Sequence, residues 1–333
     1  MEERDKMRAF TIVVTGGAGF IGSNLIEALN QRGEERIIVV DHLSQGSKWK
    51  NLVGLKFKDY IDRIDFLKLI EEDKIETPAV IFHLGACSDT TVKDLHYLYE
   101  NNYLYSLKLC EYALKKEVRF IYASSAATYG DGSQGFKDDE AQLDSLKPLN
   151  PYGFFKHLFD LWLSRRGLLK KVVGLKYFNV FGDKEFHKGE MRSVALKAYE
   201  QIKKEGKVRL FKSYNPKYED GGQLRDFIYV KDAVEVTLFF WEHPEINGIY
   251  NVGTGKARSF KELVSAVFNS LGLTPNIEYI EMPEDLKNQY QYFTEADITK
   301  LYQVGYNRKM RELEEAVKEY VSFLERYSSY YMD

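Results

Sequence analysis

At 333 residues the chain exceeds the ~250–300 at which single hydrophobic cores stop growing, so two coupled domains are expected. Forty-seven basic against fifty acidic residues leave a net charge of −3, which excludes a general binder of nucleic acid or anionic membrane; any anionic ligand needs a local site. Two cysteines, Cys87 and Cys110, exclude a disulfide framework, no apolar run nears the ~18 residues of a spanning helix, and Met1-Glu2-Glu3-Arg4-Asp5-Lys6 is too polar for a signal peptide, so a soluble, cytoplasmic protein is expected.

In chain order, Val/Ile-rich runs at 11–15, 37–41, 79–84, 119–124 and 172–177 alternate with helix-period segments at 21–32, 63–73, 97–116 and 152–166. That alternation predicts a parallel sheet with crossover helices, its strands apolar throughout because both faces are covered. Asp94 is placed to cap the third helix, and Gly33 suits the C′ position of the first. Beyond Phe178 the regularity decays into a helix at 191–204 and a polar loop at 213–223. Residues 226–230 read as a strand returning to the sheet, and 248–255 as turn-rich. A last helix, 309–327, aligns Leu313, Val317, Tyr320, Val321 and Leu324 on one face; its Tyr-rich tail carries no signal. The expected fold is α/β. Residues 1–178, 226–256 and about 305–333 form a doubly wound parallel sheet; 179–225 and 257–304 form a smaller α/β substrate-binding domain.

Thr15-Gly16-Gly17-Ala18-Gly19-Phe20-Ile21-Gly22 follows the first strand and opens a helix, with Asp41 ending the next strand 19 residues after Gly22. Backbone N–H groups at a helix N-terminus, unobstructed by Cβ atoms, suit a pyrophosphate, so a Rossmann dinucleotide site outweighs a merely structural tight turn. The Gly-x-x-Gly-x-x-Gly spacing resembles the extended short-chain dehydrogenase/reductases. Asp41 favours NAD through the ribose hydroxyls; Ser44, Ser47 and Lys48 lie just beyond, and Lys48 suits the 2′-phosphate of NADP unless it is a solvated loop lysine. NADP is expected, with NAD as the alternative.

Pro151-Tyr152-Gly153-Phe154-Phe155-Lys156 sets Tyr152 and Lys156 one helical turn apart, 28 residues after Ser124. With 24 tyrosines, a chance Tyr-x-x-x-Lys packing pair is the plainer reading, but the position after the fourth strand favours chemistry. A fixed ammonium and a positive nicotinamide favour the phenolate, making Tyr152 a proton acceptor, with Ser125 or Thr128 bonding the substrate hydroxyl. Cys87 reads as a small packing residue, His83 as a satisfied core histidine, and no metal spacing is present.

Tyr122-Ala123-Ser124-Ser125-Ala126-Ala127-Thr128-Tyr129-Gly130, Asn150-Pro151-Tyr152-Gly153 and Arg225-Asp226-Phe227-Ile228-Tyr229-Val230 resemble the nucleotide-sugar epimerase and dehydratase branch of that superfamily. Gly85-Ala86-Cys87-Ser88-Asp89-Thr90-Thr91, Tyr177-Phe178-Asn179-Val180-Phe181-Gly182, Phe186-His187-Lys188-Gly189 and Tyr290-Gln291-Tyr292-Phe293-Thr294 resemble, within it, the 6-epimerases of ADP-linked heptoses. The likeness runs from about Phe10 to about Tyr327. It implies that Gly16, Gly19, Phe20, Ile21, Gly22, Asp41, His42, Lys48, Arg63, Leu84, Gly85, Ala86, Cys87, Ser88, Asn101, Tyr152, Lys156 and Val180 touch the cofactor. It also implies that Ser125, Asn179, Lys188, Phe211, Lys212, Ser213, Tyr214, Arg225 and Tyr290 face an ADP-heptose, together with positions 190 and 197, where Glu190 and Lys197 replace the family's serine and histidine.

By the same resemblance Lys188 is a second proton-transfer group, opposite in role to Tyr152, unless it only binds diphosphate. The reaction implied supplies heptose for the lipopolysaccharide core, in a homo-oligomer for which a pentamer is one form. Ser125-Ala126-Ala127-Thr128 lacks the Asp-Glu pair that usually follows this position in 4,6-dehydratases. Another epimerase, for example one acting at C4, or a catalytically silent NAD(P)-binding sensor are the remaining alternatives.

Overall fold

The computed structural model describes residues 10–43, 46–287 and 290–332; Ser44 lies outside the described residues. In chain order the strands are β1 (Ile12–Thr15), β2 (Ile37–Asp41), β3 (Asp59–Asp62), β4 (Val80–His83), β5 (Arg119–Ser125), β6 (Val173–Tyr177), β7 (Asn179–Phe181), β8 (Val208–Phe211), β9 (Leu224–Tyr229), β10 (Gly248–Val252), β11 (Ala257–Ser259) and β12 (Ile277–Ile280). The helices used below are α1 (Phe20–Gln31), α2 (Arg63–Glu71), α3 (Tyr105–Lys115), α4 (Pro151–Arg165), α5 (Val194–Glu205), α6 (Phe260–Ser270) and α7 (Leu313–Met332). By compactness the chain divides into two units: Met1–Gly130, Asp139–Lys176 and Val234–Tyr250 in the first, and Asp131–Asp138, Tyr177–Ala233 and Asn251–Asp333 in the second.

The first unit is built on a seven-stranded sheet of order β10-β6-β5-β4-β1-β2-β3, with β3, β2, β1, β4 and β5 paired parallel. Strands β1, β2, β4 and β6 are buried at every residue, as their unbroken apolar runs require. The order reverses between β1 and β4, and at such a switch point the carboxyl ends of the strands leave a crevice for a ligand. The strand β10 is fully buried where the sequence reads as turn, because its flanking glycines mask the run Ile249-Tyr250-Asn251-Val252. Arg119, at the start of β5, fixes the approach to it through Asn247 Oδ1 at 2.6 Å and the Ile246 carbonyl at 2.6 Å.

The helix expected at 97–116 is interrupted. A single α turn, Leu95–Leu98, capped by Asp94, runs into a π turn, Tyr99–Leu104, before α3 begins. The wider turn carries Asn102, whose carboxamide accepts from Cys87 N at 2.8 Å and donates to Cys87 O at 2.9 Å, an arrangement that ties the turn after β4 to this helix.

In the second unit β9 does not return to the large sheet. It is the middle strand of a three-stranded sheet, β11-β9-β7, parallel to β7 and antiparallel to β11. Asp226 decides this: its buried carboxylate accepts from the Thr254, Gly255 and Ala296 amides at 2.7, 2.9 and 3.0 Å, tying β9 to its own unit. Strands β8 and β12 form a separate parallel pair. Helix α7 buries Leu313, Val317, Tyr320, Val321 and Leu324 and packs on α6, so it groups with this unit; the sequence reading placed 226–256 and about 305–333 with the large sheet, where of these only Val234–Tyr250 falls in the first unit.

Candidate active site

The glycine turn after β1 has the form a pyrophosphate needs. A Cβ on Gly22 would lie 2.2 Å from the Gly16 carbonyl oxygen, so only glycine lets α1 start this close to the turn. Gly19 occupies the N-cap with no side chain closing it, leaving the first amides of α1 near Phe20 and Ile21 for an anion. Asp41, at the end of β2, accepts from Ala18 N at 2.9 Å and from His42 N at 2.7 Å, and the Lys48 ammonium is paired to it. Asn51 closes the same loop by donating to the Ala18 carbonyl at 3.0 Å.

The ring of His42 is turned to Asp62, the N-cap of α2, at 3.0 Å. Arg63 opens α2 with its Nε buried and without a hydrogen-bond partner among the described residues, an orphan that a bound dinucleotide could satisfy. The Leu84-Gly85-Ala86-Cys87-Ser88 turn follows β4, held by Gly85 N donating to Thr15 Oγ1 at 3.1 Å. These residues fit a dinucleotide. Asn101 donates to the Tyr97 carbonyl at 2.6 Å; the residue that sequence reasoning missed is its neighbour Asn102, signalled only by the doublet Asn101-Asn102 in an otherwise amphipathic helix. Burial pushes the Cys87 thiol up, as suits packing rather than attack. His83 is buried between Thr15 Oγ1 at 2.7 Å and Ser106 Oγ at 2.8 Å, and burial drives its pKa down to about 3.

Tyr152 and Lys156 rise from the first turns of α4, which Asn150 caps by accepting from Gly153 N at 2.8 Å. Gly153 is required here because a Cβ would lie 2.7 Å from the Ala127 carbonyl oxygen. The close approach sets the Tyr152 hydroxyl beside Ser125, whose side chain acts on its titration. Burial raises the Tyr152 pKa, and the Ser125 contact opposes that rise. Lys156 donates to the Ala123 carbonyl at 2.8 Å, and burial lowers its pKa to about 8. In the ligand-free chain desolvation therefore outweighs any pull of Lys156 on the phenol.

Of the two candidate hydroxyls, Thr128 is committed: it donates to the Ser125 carbonyl at 2.8 Å and accepts from Lys176 at 2.6 Å, wholly buried. Ser125 remains beside Tyr152. Beneath them lies a network that sequence reasoning missed. Asp160 accepts from Tyr122 OH, Ser124 Oγ and Lys176 Nζ, each at 2.8 Å, and so joins α4, β5 and β6. Its signal was present in two charges placed on apolar faces, Asp160 four residues after Lys156 and Lys176 inside β6, since buried charges need each other.

The second unit carries the remaining predicted residues. Asn179 and Val180 lie on β7, the Asn179 carboxamide oxygen 3.4 Å from Thr294 Oγ1. Lys188 is half-buried on a 3₁₀ segment, Phe186–Met191, and burial lowers its pKa. Lys197, Phe211 and Tyr290 line a cavity of about 220 Å³ together with Gln201, Leu210 and Phe260. Arg225 is buried, stacked on Phe260 and Tyr290, with carbonyls of Leu224 and Gln291 as its hydrogen-bond partners and no carboxylate among the described residues. Lys212, Ser213 and Tyr214 lie outside that lining: Lys212 pairs with Glu281 at 2.6 Å, Ser213 N donates to Asp220 at 2.7 Å, and exposed Tyr214 bonds Glu281. The two substituted positions meet each other, Lys197 Nζ lying 2.7 Å from the Glu190 carbonyl and 3.1 Å from its carboxylate.

A dinucleotide cradle and a Ser–Tyr–Lys set on one parallel sheet define a nicotinamide-dependent enzyme of the Rossmann class. Comparison with known proteins narrows it: the chain belongs to the NAD dependent epimerase/dehydratase family, whose model matches residues 12–253. It is 54% identical over 311 residues, 93% of this chain and 96% of the relative, to the ADP-L-glycero-D-manno-heptose-6-epimerase of Nitratidesulfovibrio vulgaris (strain DP4). Among solved structures it resembles the Helicobacter pylori enzyme of that name, with a TM-score of 0.81, 30% identity and 96% and 98% of the two chains covered. It also resembles the Thermus thermophilus UDP-glucose 4-epimerase complex with NAD, with a TM-score of 0.74, 27% identity and 95% and 99% covered.

Proposed function

We propose that this protein inverts C6 of ADP-D-glycero-D-manno-heptose, giving the L-glycero epimer, by transient oxidation to a C6 ketone with NADP as cofactor. The substrate rests on the 54% near-full-length likeness to an epimerase of that name. The chemistry is carried by one observation, Tyr152 beside Ser125 and one helical turn before buried Lys156, whose ammonium is held on the Ala123 carbonyl.

The C6 hydrogen of a heptose adjoins no carbonyl and is not acidic, so direct proton abstraction is closed. The nicotinamide, when bound, accepts hydride from that carbon and returns it to the opposite face of the ketone. Tyr152 takes the hydroxyl proton in one configuration, Ser125 orienting that hydroxyl, while Lys156 lends positive charge from below. Return to the other face needs a separate proton donor, the role we give to Lys188. Desolvation lowers its pKa, the direction that eases loss of the ammonium proton.

Arg225, a buried guanidinium without a carboxylate partner among the described residues, suits the diphosphate. The 220 Å³ cavity beside it is smaller than the ~300–1,000 Å³ of a whole ligand site, which suits one part of the ligand, its base. The preference for NADP is supported by Lys48, which neutralises Asp41 and so removes the charge that would repel a 2′-phosphate. Incubation with ADP-D-glycero-D-manno-heptose, followed by proton NMR, tests the proposal; folded, cofactor-loaded protein that forms no 6-epimer would overturn it.

A further inference from the structure

We propose that the C-terminal helix α7 is a positioning element for Lys188, acting through Tyr331 and Tyr320. The proposal rests on the reading of Lys188 as the second proton-transfer residue and explains what holds it in place.

The segment that carries Lys188 has little regular structure to stiffen it. Its 3₁₀ turns are broken at Gly189, with φ 53° and ψ −125°. A proton donor must nevertheless be held closely, since a misplacement of ~1 Å can cost about a hundredfold in rate. Contacts made by its neighbours supply restraint. Glu185, wholly buried, gathers both ends of the segment on one carboxylate, accepting from Gly182 N at 3.1 Å, Ser193 N at 2.5 Å and Ser193 Oγ at 2.7 Å. A further donor to that carboxylate comes from α7, the Tyr320 hydroxyl at 3.0 Å.

One residue later, the ring of Phe186 lies flat on Tyr331 in the last turn of α7, with centroids 4.8 Å apart and planes 2° from parallel. Phe323 packs against both rings at 6.5 and 6.0 Å. The helix can bear the load. Its inner face is buried from Leu313 to Leu324, and Glu325 accepts from Tyr199 OH of α5 at 2.6 Å. Past Leu324 its tyrosines Tyr327 and Tyr330 are exposed, and Tyr331 is the one stacked on Phe186. Lys188 is the second residue after the stacked ring, so the tail fixes where the ammonium can reach.

The test uses the full chain loaded with cofactor and three variants: Tyr331→Ala, Tyr331→Phe and Lys188→Met. Epimerisation kcat and KM are measured. Reduction of the bound nicotinamide by each C6 epimer is followed separately by absorbance in single turnovers. Tyr331→Ala should lower kcat about 10- to 100-fold with KM within about threefold, because position and not affinity is lost. It should slow reduction by the same single epimer that Lys188→Met slows, and Tyr331→Phe, which keeps the stacking ring, should retain more kcat than Tyr331→Ala. A Tyr331→Ala enzyme with normal kcat, or with both epimers slowed alike, overturns the proposal. If Tyr331→Ala does not fold, Tyr331→Leu, which keeps apolar bulk without the stacking plane, carries the same readouts. Lys188→Met with normal turnover overturns the role of Lys188 and this proposal together; inactive Lys188→Met beside unimpaired Tyr331→Ala overturns the positioning alone.

Discussion

Lys156 and Lys188 are both lysines made less basic by burial, yet the two units hold them by opposite means. Lys156 stands on a capped fifteen-residue helix, and its ammonium is bonded to the Ala123 carbonyl of the strand beside it. Lys188 stands on a short broken 3₁₀ segment fastened through its neighbours Glu185 and Phe186 to a helix more than 120 residues away in sequence, as Phe186 meets Tyr331. A group set by its own helix is legible from local spacing; a group set by distant contacts is not. On the proposed mechanism, Lys156 is then fixed beside the proton acceptor Tyr152, whereas the placement of Lys188 can be loosened without disturbing the sheet.

The comparison can be broken most forcefully at its chemical ends. Tyr152→Phe should fold and bind cofactor yet lose about 10²–10⁴-fold in epimerisation kcat, since the ring still packs while the proton acceptor is gone. Undiminished turnover in both directions would remove Tyr152 from the reaction. Lys188→Met should cost a similar ~10²–10⁴ in epimerisation, while an analogue with an aldehyde at C6 still shows Tyr152-side oxidation. A Lys188 that only binds diphosphate predicts a raised KM with near-normal kcat instead.

Stability separates the same two lysines more gently. The folded pKa of Lys156, about 8, lies below the ordinary lysine value, so the fold bears the full cost of the buried ammonium at any pH below about 8. That cost fades as pH rises toward ~10.4, where the unfolded chain also loses the proton. Lys156→Met should accordingly stabilise the ligand-free protein at pH 7 by about 2 kcal/mol, some ~3 from desolvation relieved less ~1 for the Ala123 carbonyl left unpaired. Thermal unfolding at pH 7 and pH 10 measures this, and a gain that does not shrink at pH 10 contradicts the cause.

Smaller still, Lys48→Ala should weaken NADP roughly tenfold and NAD hardly at all, because only NADP offers a 2′-phosphate for a charge-assisted contact. Equal losses in titrations with both cofactors would return Lys48 to a role in pairing Asp41 alone. Least of all, Glu190→Gln should leave the denaturant midpoint essentially where it is, since the carboxylate is 88% exposed and its bond to Lys197 is screened. A larger change in denaturant midpoint would mean the pair has a structural duty.

Much of the first unit is legible in the sequence because its information is local. The turn from Gly16 to Gly22, the strand-ending Asp41 and the one-turn spacing of Tyr152 and Lys156 each state a backbone requirement within a few residues. Expectation and structure parted where a distant partner decided. The buried strand β10 hides behind its glycines, the helix over 97–116 yields to a π turn that lets Asn102 reach Cys87, and β9 follows Asp226 into a small sheet of its own.

By itself, then, the sequence determined the α/β class, the glycine turn and the one-turn spacing of Tyr152 and Lys156, with Ser125 and Thr128 both left as candidates, since hydrophobic period, glycine spacing and helical repeat are properties of neighbouring residues. Tertiary structure alone chose Ser125 over Thr128, by committing the Thr128 hydroxyl to Lys176 and the Ser125 carbonyl. It alone paired Glu190 with Lys197, built the Asp160 network under α4, and gave the Tyr-rich tail a place against Phe186. Each of these is a contact between groups far apart in the chain, and such contacts exist only once packing has removed water from around the charges and rings that make them.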